Sequence, residues 1–261
     1  MIERLLAEAP TFFGHYNLLF LAKAAGTTLA LSLVGCVIGG ILGVLLAFVR
    51  ITEGLATMPV RIVATLFTEF FRRVPFLVTL MLVFFVCQFS GLDVSNFAVG
   101  AVTVVLIAAA FLAEIVRGGL RSVHRNQWDA ALAMNFSTFQ TVRHVVFPQA
   151  WRVILPPAFG FFLLFIKDTA LASQIGVVEL TYAGKVLNNR GFGAPLVFGT
   201  ILVLYFAISY PLARLGRRLE RRLAPAGGRA SATSRPETGA SDVPGPGKVP
   251  GGRQASSETS P

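Results

Sequence analysis

The 261-residue chain is 54% hydrophobic and only 14% charged, with a formal net charge of +10 and a mean hydropathy of +0.67. A soluble domain carries roughly 25% charged residues, and several apolar stretches here approach or exceed the roughly 20 residues that cross a bilayer core as a helix. The chain is therefore an integral membrane protein. Its positive charge belongs to arginines at the ends of apolar stretches, where it orients membrane helices, and does not indicate a nucleic-acid partner.

In chain order, residues 1–17 read as an N-terminal extracytoplasmic segment, acidic in MIERLLAEAP and without the basic start of a cleavable signal peptide. Residues 18–223 read as the membrane domain, with about five spans near 18–49, 76–89, 97–116, 150–166 and 195–212. The first run is longer than a span needs and is threaded by Gly26, Gly35, Gly39, Gly40 and Gly43, small residues that let membrane helices approach closely. A second segment, MPVRIVATLFTEFF, begins amphipathic, meets Arg72 and Arg73, and passes Pro75 into the second span. Arg50, Arg61, Arg72, Arg73, Arg117, Arg121, Arg125, Arg143 and the basic run RLGRRLERR all fall on one side. The positive-inside rule then places the N-terminus outside and the C-terminus in the cytoplasm, with an odd number of spans. From 224 to 261, Gly, Pro, Ser and Thr dominate and no aromatic residue occurs, so a disordered cytoplasmic tail is expected.

Between the third and fourth spans lies a polar elbow, about 121–147, containing NQWDAALAMNFSTFQTVRHVVFPQA. It reads as helix, tight turn and short helix. Asn126 is a candidate N-cap, with Asp129 at the third helical position. Ala130 and Ala131 leave a side-chain-poor surface suited to docking. Asn135 stands where the helix should end in a left-handed residue. Ser137 and Gln140 suit a second cap, and Pro148 is expected to stop that helix before the next span. Trp128 either anchors the elbow at lipid headgroups or joins the docking surface.

Ionisable residues at membrane depth are costly and usually face the protein interior. Glu114, Lys167 and Asp168, with the adjoining Thr169, are therefore candidates for a translocation path. A structural alternative stands beside each: an intrahelical pair of Glu114 with Arg117, and salt bridges of Lys167 and Asp168 to other elements. Arg117, Arg121 and Arg125 share helical spacing and suit topology setting and contact with acidic membrane lipid.

No G-x-x-x-x-G-K followed by Ser or Thr occurs, so the chain is not expected to hydrolyse ATP. Cys36 and Cys87 lie inside apolar runs, the three histidines lack ligand spacing, and no nucleophile–base constellation appears. No catalytic residue, metal or cofactor is expected.

The elbow resembles the EAA loop of bacterial ABC-importer permeases. Asp129-Ala130-Ala131 is followed by Asn135 at that loop's glycine position and closed by Val146, Phe147 and Pro148. FFRRVPFLVTL, AFLAEIVRGGLRSV, FPQAWRVILPP and IKDTALASQIGVVEL are similar, in order, to FFRGTPLLVQ, AEIVRGGI, PQALRxxLPP and LKDTSLxxxIGVxEL of the polar amino-acid uptake permeases. The resemblance covers roughly 27–215 and implies an all-α membrane protein of the type I ABC-importer permease fold, in a bacterial inner membrane. It implies that Gln127, Asp129, Ala130, Ala131, Asn135 and Pro148 couple the chain to cytoplasmic ABC ATPase subunits. It also implies an extracytoplasmic solute-binding protein and a second permease subunit, identical or homologous. Three departures stand out: Asp129 for Glu, Asn135 for Gly, and Arg73 for Gly. A permease for another small polar solute and an ion-coupled secondary carrier are the alternatives.

Overall fold

Close contact between two long helices sets the frame of the molecule. The computed structural model describes residues 2–52 and 54–223, and every regular element among them is helical. The elements are α1 (Ile2–Phe12), α2 (His15–Ile51), α3 (Met58–Arg73), α4 (Phe76–Phe89), α5 (Asn96–Arg121), α6 (Arg125–Ala133), α7 (Thr138–Thr141), α8 (Phe147–Asp168), α9 (Leu180–Asn189) and α10 (Ala194–Leu223). Four stretches are long and apolar enough to cross a membrane: α2, α5, the run Thr138–Ile175 that contains α8, and α10. The bent pair α3–α4 supplies a fifth.

Helix α2 has 37 residues, roughly 55 Å at the usual rise, against an apolar core of about 30 Å. One stripe of it is buried: Thr28, Leu31, Ser32, Gly35, Gly39, Gly43 and Ala47. The glycines recur every fourth residue, which puts them on one face. A Cβ at Gly35 would lie 2.0 Å from Val104 Cγ1, one at Gly39 2.6 Å from Ala108 Cβ, and one at Gly43 2.9 Å from the Ala113 nitrogen. Helix α5 answers with its own small residues, Ala108, Ala109, Ala110 and Ala113, all buried. In lipid there is little hydrophobic drive between helices, so close van der Waals packing of this kind holds them.

The break between α3 and α4 has a local cause. Proline crowds the residue before it out of the helical region, and Val74 is extended at φ −86°, ψ 134° ahead of Pro75. The two helices meet at 114°. With 14 residues, α4 reaches only about 21 Å, so the second span is a broken element rather than one straight rod.

Four apolar clusters run along the bundle. At one end Phe12, Leu21, Ala24, Leu180, Leu187 and Val197 join α1, α2, α9 and α10. Phe12 is fully buried and Glu8 accepts a 2.6 Å hydrogen bond from the Gly193 nitrogen, so α1 is packed onto the bundle. At the other end Ala47, Val116, Leu120, Val142, Val146 and Ala150 join α2, α5 and the base of α8 to the elbow.

Two cap readings are corrected. Helix α6 begins two residues earlier than expected, with His124 as its N-cap accepting from the Asn126 nitrogen at 3.3 Å. Pro148 does not stop a helix: a π-turn over Val142–Val146 carries α7 into α8, and Pro148 stands in the first turn of α8. The widened turn accommodates a residue that has no N–H to give and a ring that crowds the preceding turn. The expected tail, 224–261, lies outside the described residues.

Gly39→Val should lower the thermal unfolding midpoint of the detergent-purified chain, on the scale of about 1–3 kcal/mol or more for forced overpacking. Gly40→Val, whose nearest neighbour would be Leu112 Cδ1 at 3.6 Å, should leave it near wild type.

Candidate functional site

The elbow is built from hydrogen bonds that fix its turn. After Ala133 the chain leaves α6 through Asn135, whose φ of 61° makes it the one non-glycine residue with positive φ among those described. The Phe136 nitrogen donates to the Ala131 carbonyl at 3.1 Å and the Asn135 nitrogen to the Leu132 carbonyl at 2.9 Å. This pair of bonds, closed by a left-handed residue, is the Schellman arrangement. Two residues later Ser137 and Gln140 form the expected capping box, with Gln140 N to Ser137 Oγ at 3.3 Å and Ser137 N to Gln140 Oε1 at 2.8 Å. One end of the turn is thus tied by backbone bonds and the other by side-chain–backbone bonds.

Its residues divide by face. Ala131 is fully buried, and Trp128 packs against the cluster of Val116, Leu120, Val142 and Val146, so it folds back on the protein. Gln127, Asp129, Ala130, Ala133, Asn135 and Pro148 are exposed. Gln127 accepts a 3.4 Å bond from Gln149, and Asp129 sits 4.0 Å from Arg125. Leu132, Met134 and Phe139 are each 60% exposed, an apolar surface on the elbow's crest. Of the adjacent alanines, Ala131 thus turns inward and Ala130 outward.

Beside the elbow, one carboxylate joins three helices. Glu114 on α5 accepts from Arg50 at the end of α2 at 2.9 Å and pairs with Arg117 one turn on. Arg72 at the end of α3 lies 3.7 Å away and is equally close to Glu69, which also takes Arg73 at 2.6 Å. The Arg50 side chain is only 8% exposed. The Glu114–Arg117 pair follows from helical spacing, whereas Arg50 and Arg72 arrive from elements that spacing cannot place.

Residues 39–225 match the family described as binding-protein-dependent transport system inner membrane component. The chain is 35% identical over 205 residues to the glutamine transport system permease protein GlnP of Escherichia coli (strain K12), covering 78% of this chain and 92% of that one. It is 32% identical to the probable amino-acid ABC transporter permease protein YckA of Bacillus subtilis (strain 168), covering 78% and 89%. This chain belongs to that family of importer permeases. Its fold agrees with a crystal structure of an amino acid ABC transporter, at a TM-score of 0.72 and 26% identity over 78% of this chain and 94% of that one. The inward-facing MetNI methionine ABC transporter matches at 0.68 and 23%, over 82% and 100%, a likeness of fold.

In the permease, Lys167, Asp168 and Thr169 lie at the end of α8 far from the elbow, while Glu114 lies towards the elbow end of the antiparallel α5. The structure therefore does not bring these charges together. Lys167 is exposed, Asp168 half-buried, and neither forms an ion pair among the described residues. Thr169 is buried and donates to the Ile166 carbonyl at 3.0 Å. No group of three or more His, Cys, Asp or Glu side chains is placed to hold a metal among the described residues.

One polar centre was not singled out from the sequence. Glu179 is fully buried and caps α9, accepting from the Thr181 and Tyr182 nitrogens at 3.0 and 2.8 Å and from the Tyr205 hydroxyl at 2.7 Å. Thr28 accepts from the Leu180 nitrogen at 3.2 Å, and Lys185 reaches Ser173 at 3.1 Å. The network ties α2, α9 and α10 where the apolar run IGVVEL ends in an acid. A single acid ahead of a helical run is the signal for a cap.

Glu114→Ala strands the nearly buried Arg50 charge and should cost about 3–5 kcal/mol. Arg50→Ala combined with it should cost less than the sum of the two single changes. Thermal unfolding in detergent checks both expectations, and a neutral Glu114→Ala would contradict the hub.

Proposed function

We propose that the chain is the permease subunit of an ATP-driven amino-acid importer, forming the translocation path and taking its energy from separate cytoplasmic ATPase subunits through the elbow. The observation that carries this reading is the hydrogen-bonded turn and the outward apolar face of the elbow. Its turn is closed by backbone bonds at one end and a capping box at the other, and it presents Leu132, Met134 and Phe139. A loop free of partners rarely keeps three large apolar side chains in water, and such surfaces mark interaction sites. The amino-acid cargo is supported by relatives named for glutamine and amino-acid transport.

In this reading the N-terminus faces outward and the elbow inward, in line with the arginine-rich helix ends. A solute-binding protein delivers cargo on the outer side, and a second permease, identical or homologous, completes the path. Gln127, Asp129 and Ala130 flank the docking face, Ala131 anchors it from beneath, and Asn135 and Pro148 fix its two ends. ATP binding closes the ATPase pair and moves the elbow as a unit. That motion reaches α5 and α8 directly through Val116, Leu120, Val146 and Ala150, and α2 and α3 through Glu114. Lys167, Asp168 and Thr169 stand at the opposite end, where the path meets arriving cargo. The chain supplies path and transmission, and the ATPase supplies the chemistry.

Leu132→Asp, at an exposed position, should leave membrane insertion and amount unchanged. ATP-dependent uptake of labelled glutamine should fall about tenfold or more, the scale of losing an interface hot spot. Near-normal uptake by this variant and by Met134→Asp would sink the docking assignment.

A further inference from the structure

Arg50, Arg61, Arg117 and Arg121 line one open cavity of about 480 Å³ between the ends of α2, α3 and α5, together with Ile62, Thr65 and Leu66. That volume is many times the roughly 30 Å³ share of one liquid water, so a polyatomic group has room. The nearby carboxylates are already engaged. Glu114 is shared by Arg50, Arg72 and Arg117, and Glu69 by Arg72 and Arg73. Six guanidinium groups therefore meet two carboxylates, an excess of four positive charges among the described residues. Arg61 and Arg121 have no ion-pair partner among the described residues. Arg125, by contrast, lies outside the cavity and faces Asp129.

Like charges crowded beside an apolar wall are costly unless an anion offsets them. Guanidinium groups offer paired N–H donors that match the oxygens of a phosphate. The wall adds a second feature. Ile62 and Leu66 are 47% and 64% exposed and share the cavity with the arginines, and Val63 beside them is 65% exposed. Helix α3 thus presents apolar side chains immediately next to an arginine-lined hollow at the ends of two candidate spans, and basic pockets at span ends suit lipid headgroups. The other arginine-rich groove, lined by Arg214, Arg217, Arg218 and Arg221 of α10, has no second element and no apolar wall.

We infer that the cavity bounded by Arg50, Arg61, Arg117 and Arg121 is a binding site for a phosphate group, carried by an anionic phospholipid headgroup or by a phosphate ion from solution. Arg61 and Arg121 are the two free contacts, while Arg50 and Arg117 hold the floor through Glu114. An occupant here bridges α3 to α2 and α5 at the level of the Glu114 hub and braces the broken second span.

The test is the unfolding midpoint of the full-length chain in neutral detergent, titrated with phosphatidylglycerol against phosphatidylcholine, and with inorganic phosphate against chloride at matched ionic strength. A ligand of the folded state raises the midpoint, so a rise of several degrees is expected with phosphatidylglycerol or with phosphate. A rise with the lipid alone identifies the headgroup, and a rise with phosphate as well identifies a site open to solution. Arg61→Gln/Arg121→Gln should abolish the rise without lowering the unliganded midpoint, because neither side chain has an ion-pair partner among the described residues to lose and each change removes a crowded like charge. Arg217→Gln/Arg218→Gln should retain it. No rise with either ligand, or a rise lost equally in both double variants, overturns the site.

Discussion

Everything else in this permease rests on the close approach of α2 and α5. Gly35, Gly39 and Gly43 remove the side chains that would hold the two helices apart, and backbone comes within a Cβ's reach of backbone. In a bilayer this contact replaces the hydrophobic drive that a soluble core would use. Once α2 and α5 are locked, their ends are fixed relative to each other. Arg50 and Glu114 then meet at a hydrogen-bonding distance, and Thr28 stands where the capped start of α9 can reach it.

Two polar centres exploit that frame at opposite ends. At the elbow end, Glu114 gathers arginines from three helices, so the broken second span is held by charge where it lacks the length to hold itself. At the other end, Glu179 uses neutral donors and the start of a helix, and the result is a fully satisfied buried acid. The elbow is mounted beside the first centre. Its buried Ala131 and inward Trp128 join it to the ends of α5 and α8, and its Schellman turn fixes where the chain reverses.

Much of this was legible from residue order. The spans, the left-handed Asn135, the Ser137–Gln140 box and the Glu114–Arg117 pair all follow from local rules, because each depends on neighbours within a turn or two. What stayed hidden depends on distant contacts. Nothing in the spacing says that Ala131 turns inward while Ala130 faces out, since that is decided by where α5 and α8 end. Pro148 reads as a stop by itself, yet a π-turn before it lets the chain run on into α8. His124 outcompetes Asn126 as the cap, although asparagine is the commoner choice, and the packing of α1 through Phe12 needs α9 and α10 to be in place first. Arg50 and Arg72 lie far from Glu114 in sequence and meet it only in three dimensions.

The central claim, that this chain draws on a separate ATPase through its elbow, is tested most directly by what the chain holds in the cell. A tagged full-length chain extracted in gentle detergent, with and without an ATP analogue, would be weighed by mass spectrometry of everything that co-purifies. The account predicts an ATPase in stoichiometric amount, with a second permease chain beside it. A chain that comes out alone, and stays alone with the analogue present, would contradict the account and favour a carrier that works without ATP.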